Sequence, residues 1–597
     1  MRTAVFFLVI LCSMVGYSEA TVRKQSENTG IEPPSHWALL VAGSRGYFNY
    51  RHQSDVCHAY QILHKFGFEQ DKIVVMLYDD IAFAAQNPTP GVLINRLQGP
   101  NVYKNIQKDY TGDSITPENF IAVLSGNASA VRLSAGTPKG KAKVLHSGPN
   151  DRVFVYFSDH GGTGLVAFPD GRFLFAKDLI DTLSTMAKRK QFRELTFYME
   201  ACESGSMFED LLPDNIRVFA TTAANPDESS YACYFDAERG TYLGDEYSVA
   251  WMEDAESRDV QDETLQQQFE QVRNKTVTRC TLDAYAFSFL GPAYSLSSDS
   301  FRQANSIVFL FAFFRRHACF LKGYVFSKDM LSPICRCNVS VWQLRWVGMG
   351  WVACPALHCT ALCSHAMEYG DMSIGTEPLS RFLVAHPTGR YTEVQRERLR
   401  GNDFNTGNAQ QRSTNVQETE TETETETQQD RVDARDVPLH VLRYRLDTAP
   451  SSTQKAHISG QIKSETSRRL AIDWAFRRLA AIGANEIGLG LWGTNVQPVE
   501  ESMLWRKMGA GKITQWGCYK EAVYAFQRIW MEEGCQGEKV PETSDEYDPF
   551  YWLKYTHILA NLCESGMPEV LLPKLISLAC TAEPKVPTSI FSELEII

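Results

Sequence analysis

The sequence predicts an α/β fold with a mostly parallel central sheet flanked by helices, followed by a small all-α, disulfide-bonded C-terminal domain. Three observations predict it. Apolar runs at residues 36–42, 73–77, 153–157, 195–199 and 218–221 recur between helical or polar stretches, as strands buried on both faces of a parallel sheet do. Two of these runs lead directly into a reactive side chain and then glycine. Beyond Lys463 apolar residues fall at helical spacing, with Cys518, Cys535, Cys563 and Cys580 among them.

The elements follow in order. Arg2 precedes the apolar run AVFFLVILC, and Ser18-Glu19-Ala20 offers small residues for cleavage, so residues 1–20 read as a signal peptide. That run is too short to span a bilayer, as is residues 307–314. Residues 21–278 read as the α/β domain. Within it Val56, Tyr60, Leu63 and Phe66 mark a helix over 54–68, and Cys57 reads as a packed core thiol. Residues 279–363 depart from this pattern. They are rich in Phe, Trp and Cys, and look like an atypical insertion or a retained exon. Residues 364–394 close the domain. Glu alternates with Thr over 418–427, and 395–462 is expected to be a disordered linker. Residues 463–597 form the helical C-terminal part, with Ile472, Phe476, Leu479 and Ile482 on one face and Tyr551, Tyr555, Ile558, Leu559 and Leu562 on another.

Composition narrows the function. A net charge of −12 argues against nucleic-acid binding. A secretory route permits disulfides among the 15 cysteines. Asn127, Asn274 and Asn338 head glycosylation sequons. No His or Cys set has metal-ligand spacing, so neither a metal nor another cofactor is expected.

The chemistry lies in two matching segments, Val153-Phe-Val-Tyr-Phe-Ser-Asp-His160-Gly-Gly and Leu195-Thr-Phe-Tyr-Met-Glu-Ala-Cys202-Glu-Ser-Gly. Ligands of open α/β sheets bind beyond the carboxyl ends of strands. Neighbouring parallel strands would present His160 and Cys202 at one rim. A thiol near its free pKa is mostly protonated at neutral pH, and a nearby imidazole activates it. The N–H groups of Gly161 and Cys202 could hold an oxyanion.

These motifs resemble the legumains, asparaginyl endopeptidases of lysosomes, plant vacuoles and invertebrate guts. The likeness includes Ser158-Asp-His-Gly-Gly, Glu200-Ala-Cys-Glu-Ser-Gly-Ser, Val41-Ala-Gly-Ser-Arg-Gly-Tyr-Phe-Asn-Tyr-Arg-His-Gln-Ser-Asp and Thr221-Thr-Ala-Ala-Asn-Pro-Asp-Glu-Ser-Ser-Tyr-Ala-Cys, and resumes at Ser364-His-Ala-Met-Glu. It implies a caspase-like fold and cleavage after Asn, less readily after Asp. It makes Cys202 the nucleophile, His160 the general acid/base and Asn49 the residue that orients the imidazole. Asp159 becomes the succinimide candidate. Arg51, His52, Glu200, Ser229 and Asp245 would hold the substrate Asn: a carboxamide offers one acceptor oxygen and two donor hydrogens. Four C-terminal cysteines allow three pairings; the resemblance selects Cys518–Cys563 and Cys535–Cys580. It also implies that the C-terminal domain is an intramolecular inhibitor, that partners are proteins and peptides with exposed Asn, and that cystatin-type inhibitors are candidates. No membrane span is expected, and the location is the secretory pathway, lysosomal, vacuolar or extracellular. The roughly 85 residues of 279–363 depart from the family pattern. A glycolipid-anchor transamidase shares the His-Gly and Cys pattern but ends in a membrane helix; a catalytically silent binding protein is the third reading.

Latency has an electrostatic expectation. Lys463, Arg468, Arg469, Arg477 and Arg478 surround Trp474 and are expected to face Glu200, Glu203 and Asp245. Self-cleavage at roughly pH 4 to 5, where carboxylates protonate, would fall between about residues 400 and 460, with Asn402, Asn405, Asn408 and Asn415 as candidate sites.

Overall fold

The computed structural model describes residues 34–133, 142–278, 344–347, 350–353, 364–384, 431–488, 501–507, 510–530 and 549–581. The signal peptide, Asn338, Cys535 and the four linker asparagines lie outside the described residues. The chain divides into two compact units, Met1–Arg279 with Ser364–Ile597, and Cys280–Cys363.

In the first unit β1 (His36–Ala42), β2 (Ile73–Met76) and β3 (Arg152–Ser158) begin the central sheet. β4 (Gly161–Gly162), β5 (Leu165–Ala167) and β6 (Phe173–Phe175) form a small antiparallel sheet just beyond β3. β7 (Glu194–Glu200) and β8 (Val218–Thr222) return to the central sheet, and β9 (Tyr231–Asp236) pairs antiparallel with β10 (Thr241–Asp245). In the second unit β11 (Leu344–Val347) pairs antiparallel with β12 (Gly350–Ala353). β13 (Met367–Gly370) closes one edge of the central sheet, and β14 (Val432–Asp433) adds to the edge of β9. The central order is β13-β8-β7-β3-β1-β2, parallel except for β13. The five apolar runs of the sequence are its five parallel strands.

Alternation along each strand builds two cores. Leu39, Val41, Val155 and Phe197 face one side, and Ala38, Leu40, Phe154 and Tyr198 the other. α1 (Tyr50–Lys65) covers the second face. It starts four residues earlier than periodicity suggests and ends before Gly67, whose φ of 88° a helix cannot continue. Cys57 on α1 is fully buried, as expected of a core thiol. α2 (Pro117–Leu124) and α3 (Ala176–Lys188) cover the first face; α2 opens with proline at its start and Thr116 accepting from the Asn119 N–H at 3.1 Å. α4 (Glu246–Ser257) and α5 (Leu265–Thr278) join the second face through Trp251 and Phe269, and the one-turn α6 (Ser380–Leu383) adds Phe382.

The C-terminal part comprises α7 (Val437–Thr448), α8 (Ser452–Gly488), α9 (Glu501–Leu504), α10 (Trp516–Gln527), α11 (Thr556–Glu564) and α12 (Leu572–Thr581). The disulfide Cys518–Cys563 ties α10 to α11. Cys580 is also disulfide-bonded. The expected linker over 395–462 needs correction: from Arg431 the chain is ordered, and helix begins at Val437, not Lys463. Val437, Val441 and Leu442 pack on Phe48, Ala232 and Tyr242, so tertiary burial stabilises a helix whose own pattern is short.

These helices share one apolar cluster with the first face of the sheet, running from Leu39 and Phe157 through Phe173 and Phe175 to Phe476, Tyr519, Phe526, Trp552 and Leu559. Polar contacts fix the docking. Thr163 N–H donates to Thr556 Oγ1 at 2.9 Å, and the Tyr519 hydroxyl donates to the Thr163 carbonyl. Gly162 lies so close to Leu553 that a Cβ there would sit 2.8 Å from its carbonyl oxygen. Removing both hydrogen bonds with Tyr519→Phe and Thr556→Val should weaken docking by roughly 2 kcal/mol at about 1 kcal/mol each, or about thirtyfold in the undocked population. Limited proteolysis checks this: the double variant should release C-terminal fragments faster than the parent chain.

Candidate active site

Strand register sets the site. β3 and β7 are parallel neighbours with Ser158 opposite Glu200. Asp159 N–H donates to the Glu200 carbonyl at 3.0 Å, continuing the pairing one residue further. His160 and Cys202 each lie two residues past that last pair, so the sheet delivers both to one rim. Gly161 backs onto the Cys202 main chain, where a Cβ would fall 2.2 Å from the Cys202 carbonyl oxygen. The glycine is required by this approach.

His160 Nε2 meets Asn49 Oδ1 at 2.8 Å. The Asn49 amide nitrogen donates to the Arg45 carbonyl at 2.9 Å, so Oδ1 accepts and His160 carries its proton on Nε2. Nδ1 is left as the basic nitrogen. Burial, then Arg51 and Arg435, holds the imidazole well below its ordinary pKa. Cys202 is a free, buried thiol. Its Sγ accepts from Ser230 N–H at 3.4 Å and lies 3.8 Å from Ser230 Oγ. Burial pushes it up to about 12, partly offset by Arg435. Imidazole and thiol are thus both neutral, and no hydrogen bond joins them.

Beneath this pair lies a polar pocket. Arg51 Nε donates to Asp245 Oδ1 at 2.8 Å and Nη1 to the Phe48 carbonyl at 3.1 Å. Glu200 Oε2 accepts from the N–H and hydroxyl of Ser248 at 3.0 and 2.9 Å. His52 Nδ1 bonds Ser44 Oγ at 2.7 Å, and its Nε2 lies 3.6 Å from Asp245 Oδ2. Arg51 Nη2, Glu200 Oε1 and Asp245 Oδ2 are buried without hydrogen-bond partners. Burial raises the pKa of Asp55, Glu200 and Asp245, and mutual repulsion adds to the rise at Asp55 and Glu200. Three carboxyls beside one guanidinium do not all ionise together.

Ser229, one of the expected residues, and its neighbour Ser230 have different surroundings. Ser229 is half-buried and receives Arg435 Nη1 at 2.7 Å. Ser230, absent from the expected set, is buried; its hydroxyl helps lower Glu200 and its N–H touches Cys202. In a Ser-Ser-Tyr strand entry only alternation against the actual register tells the two apart. Asp159 is buried next to Gly43, with Oδ1 3.6 Å from His52 Nδ1. His52, Asp159 and His160 are near enough for a shared ion, but their contacts are those of the pocket just described. Asn127 and Asn274 are exposed, as glycan acceptors must be.

A segment from beyond the linker crosses this rim. β14 pairs antiparallel with β9, Val432 opposite Ala232 and Asp433 opposite Tyr231, and Ala434 N–H donates to the Ser230 carbonyl at 3.0 Å. Arg435 Nη2 donates to the Gly161 carbonyl at 3.0 Å and to Glu203 Oε2. Phe550 lies over His160 with ring centroids 5.0 Å apart. The expected electrostatics are thereby corrected. Arg468 and Arg469 chelate Glu465 on their own helix, and Arg469 also meets Asp436. Glu203 is instead held by Arg435, with Lys507 3.6 Å away, and both cations lie outside the long helix α8.

The profile described as the Peptidase C13 family matches residues 36–288. A vacuolar-processing enzyme of Vicia sativa is 32% identical over 563 residues, 93% of this chain and 87% of that protein. The chain belongs to the peptidase C13 family. Legumain of Mus musculus is 56% identical over 253 residues, 42% of this chain and 57% of that protein. Legumain of Homo sapiens is 56% identical over 243 residues, 41% of this chain and 54% of that protein. The alignments thus span little more than half of these animal relatives. Caspase-1 from Spodoptera frugiperda superposes with a TM-score of 0.25 at 11% identity, covering 42% of this chain and 81% of that one; the fold described above rests on its own sheet order.

For this C13 chain the buried thiol has a measurable consequence. Cys202 in the intact chain should resist iodoacetamide at pH 7, and displacing residues 431–435 should speed its alkylation by roughly a hundredfold or more, since the thiolate is the reactive form. Peptide mapping of the labelled cysteine reads this directly.

Proposed function

We propose that the protein is a cysteine endopeptidase that cleaves after Asn, less readily after Asp, and is made as an acid-activated precursor in the secretory pathway, destined for a lysosomal, vacuolar or extracellular site. The observation that carries this is the coincidence of the His160–Cys202 rim with three buried, unbonded atoms, Arg51 Nη2, Glu200 Oε1 and Asp245 Oδ2. A carboxamide oxygen can accept from the first, and its NH₂ can donate to the other two. Cys202 would attack the carbonyl after His160 Nδ1 takes the thiol proton, with Asn49 fixing the ring. N–H groups of Gly161 and Cys202 would meet the oxyanion. The leaving amine would take the proton back, and water would then hydrolyse the thioester. Asp as substrate fits best when protonated, because only then does its side chain donate as a carboxamide does.

Cys202→Ala should abolish hydrolysis of an Asn peptide, His160→Ala should cost several orders of magnitude, and Asn49→Ala should cost less, because it orients the base without exchanging protons. Peptides with Asn before the cut bond should outperform those with Leu or Arg by roughly 10⁴-fold, as expected where buried polar groups would otherwise be left unpaired. A profile led by Leu or Arg would overturn the reading.

The source of acid sensitivity differs from the sequence expectation. Burial raises the Asp433 carboxyl in the strap formed by residues 431–435 across the rim, so protonating it favours closure rather than opening. The buried histidines have the required sign. Burial, helped by Lys507 and Arg435, lowers His557 on α11 from 6.5 to about 4, and His160 is lowered too. Both are neutral when closed and gain a proton on exposure. Their stabilisation of the closed form is complete above pH 6.5 and is lost as pH falls through the folded pKa. For His557 the swing is roughly 3 kcal/mol at about 1.4 kcal/mol per unit. His557→Gln should therefore shift self-conversion of the precursor to lower pH, followed on gels between pH 7 and 4; conversion at an unchanged or higher pH would contradict this assignment.

A further inference from the structure

The strap does more than cover the rim: it lies there in a defined register. β9 is the strand beside the thiol, since Ser230 N–H touches Cys202 Sγ at 3.4 Å. β14 runs antiparallel to it as an added edge strand, the way extended peptides commonly bind a sheet edge. Ser230 also receives the Ala434 N–H, and the next residue, Arg435, reaches across to the Gly161 carbonyl on the far side of the thiol. The Ala434–Arg435 peptide unit therefore spans the nucleophile, with Ala434 on the pocket side and Arg435 on the leaving-group side. The Ala434 methyl is buried but cannot reach Arg51 Nη2, Glu200 Oε1 or Asp245 Oδ2, which stay unbonded.

On the leaving-group side the structure holds a built receptor for a cation. The Arg435 guanidinium is buried and gives one arm to Ser229 Oγ at 2.7 Å and another to both the Gly161 carbonyl and Glu203 Oε2. Glu203 is itself 2% exposed, and its other oxygen lies 3.6 Å from Nζ of Lys507 in the C-terminal part. Its backbone sits at φ 49°, in the left-handed region a non-glycine residue adopts only at a cost, and is pinned there by its N–H donating to the Glu228 carbonyl at 2.7 Å. That conformation directly after Cys202 is what turns the carboxylate toward the leaving side.

We infer that Glu203, with the Gly161 carbonyl and Ser229 Oγ, is a specificity-determining subsite that selects Arg or Lys immediately after the cleaved bond once the strap has left. The inference rests on the proposed cleavage after Asn and adds to it: the preferred peptide carries Asn on the pocket side and a cation on the other. The strap imitates that substrate at every point except the pocket, where alanine stands in place of Asn, and so it binds without being cut.

The experiment compares matched Asn–Arg and Asn–Gln peptides on the activated protein. A charge-assisted hydrogen bond to a buried carboxylate favours Asn–Arg in kcat/KM by roughly tenfold or more. In Glu203→Gln that ratio falls to about one, and in Glu203→Lys an Asn–Glu peptide overtakes Asn–Arg. Equal rates for Asn–Arg and Asn–Gln in the unaltered protein overturn the subsite, whereas failure to cut either peptide overturns the Asn reading itself. The register has its own test in the full-length chain. Ala434→Asn supplies the missing carboxamide, so the precursor cuts itself between residues 434 and 435, giving a new N-terminus at Arg435. Ala434→Ser, similar in size without the amide, leaves that bond intact. An Ala434→Asn chain that hydrolyses free Asn peptides but never shows this terminus overturns the register.

Discussion

Parallel pairing of β3 with β7 is the constraint on which the rest depends. Because Ser158 faces Glu200, and both strands end in the same number of residues before their reactive side chains, His160 and Cys202 arrive together without any long loop to position them. The same register puts Glu200 at the end of β7, pointing into the pocket, while Cys202 stands above it. A slip of one residue would send Cys202 into the core and Glu200 away from Arg51. Burial on both faces by α1, α3 and the C-terminal helices makes such a slip costly, so the core fixes the geometry of the rim.

The closed state follows from what the strap does to this rim. It adds a strand to β9, inserts one guanidinium between Glu203 and the Gly161 carbonyl, and is itself held by the Arg469–Asp436 contact and by Arg469 donating to the Arg435 carbonyl at 2.7 Å. Desolvation keeps both the imidazole and the thiol uncharged. Access and protonation are therefore suppressed by the same layer of protein, and removing that layer restores both. The C-terminal helices join the sheet through a continuous apolar core; in the proposed function this docking holds the precursor latent at neutral pH, and charging of the buried histidines releases it.

Much of this was legible in the sequence. The five parallel strands stand out because two-sided burial demands uninterrupted apolar runs, and the motifs around His160 and Cys202 stand out because close packing demands Gly161 and Gly162. Asn49 meets His160, and Arg51 meets Asp245. The strap was not legible. Residues 431–435 have no hydrophobic period, and they become a strand only because β9 offers an unpaired edge. Arg435 carried no signal either: an arginine beside two aspartates reads as solvated, and its burial depends on Glu203 being turned inward by an unusual backbone angle. The distinction between Ser229 and Ser230 needed the register, and the lowered pKa of His557 needed its burial among the docked helices.

The central claim is that a complete site already exists in the uncut chain and that the docked strap, with Phe550 over His160, keeps it closed. Labelling of intact Arg435→Glu precursor at pH 7 with a thiol-directed probe bearing Asn tests this most directly. The variant places like charges at Glu203 and should open the strap without breaking the backbone. The account predicts stoichiometric labelling at Cys202 in the uncut variant and none in the unaltered precursor. Labelling that appears only after the chain is cut would show that the site is assembled by cleavage and would contradict the account.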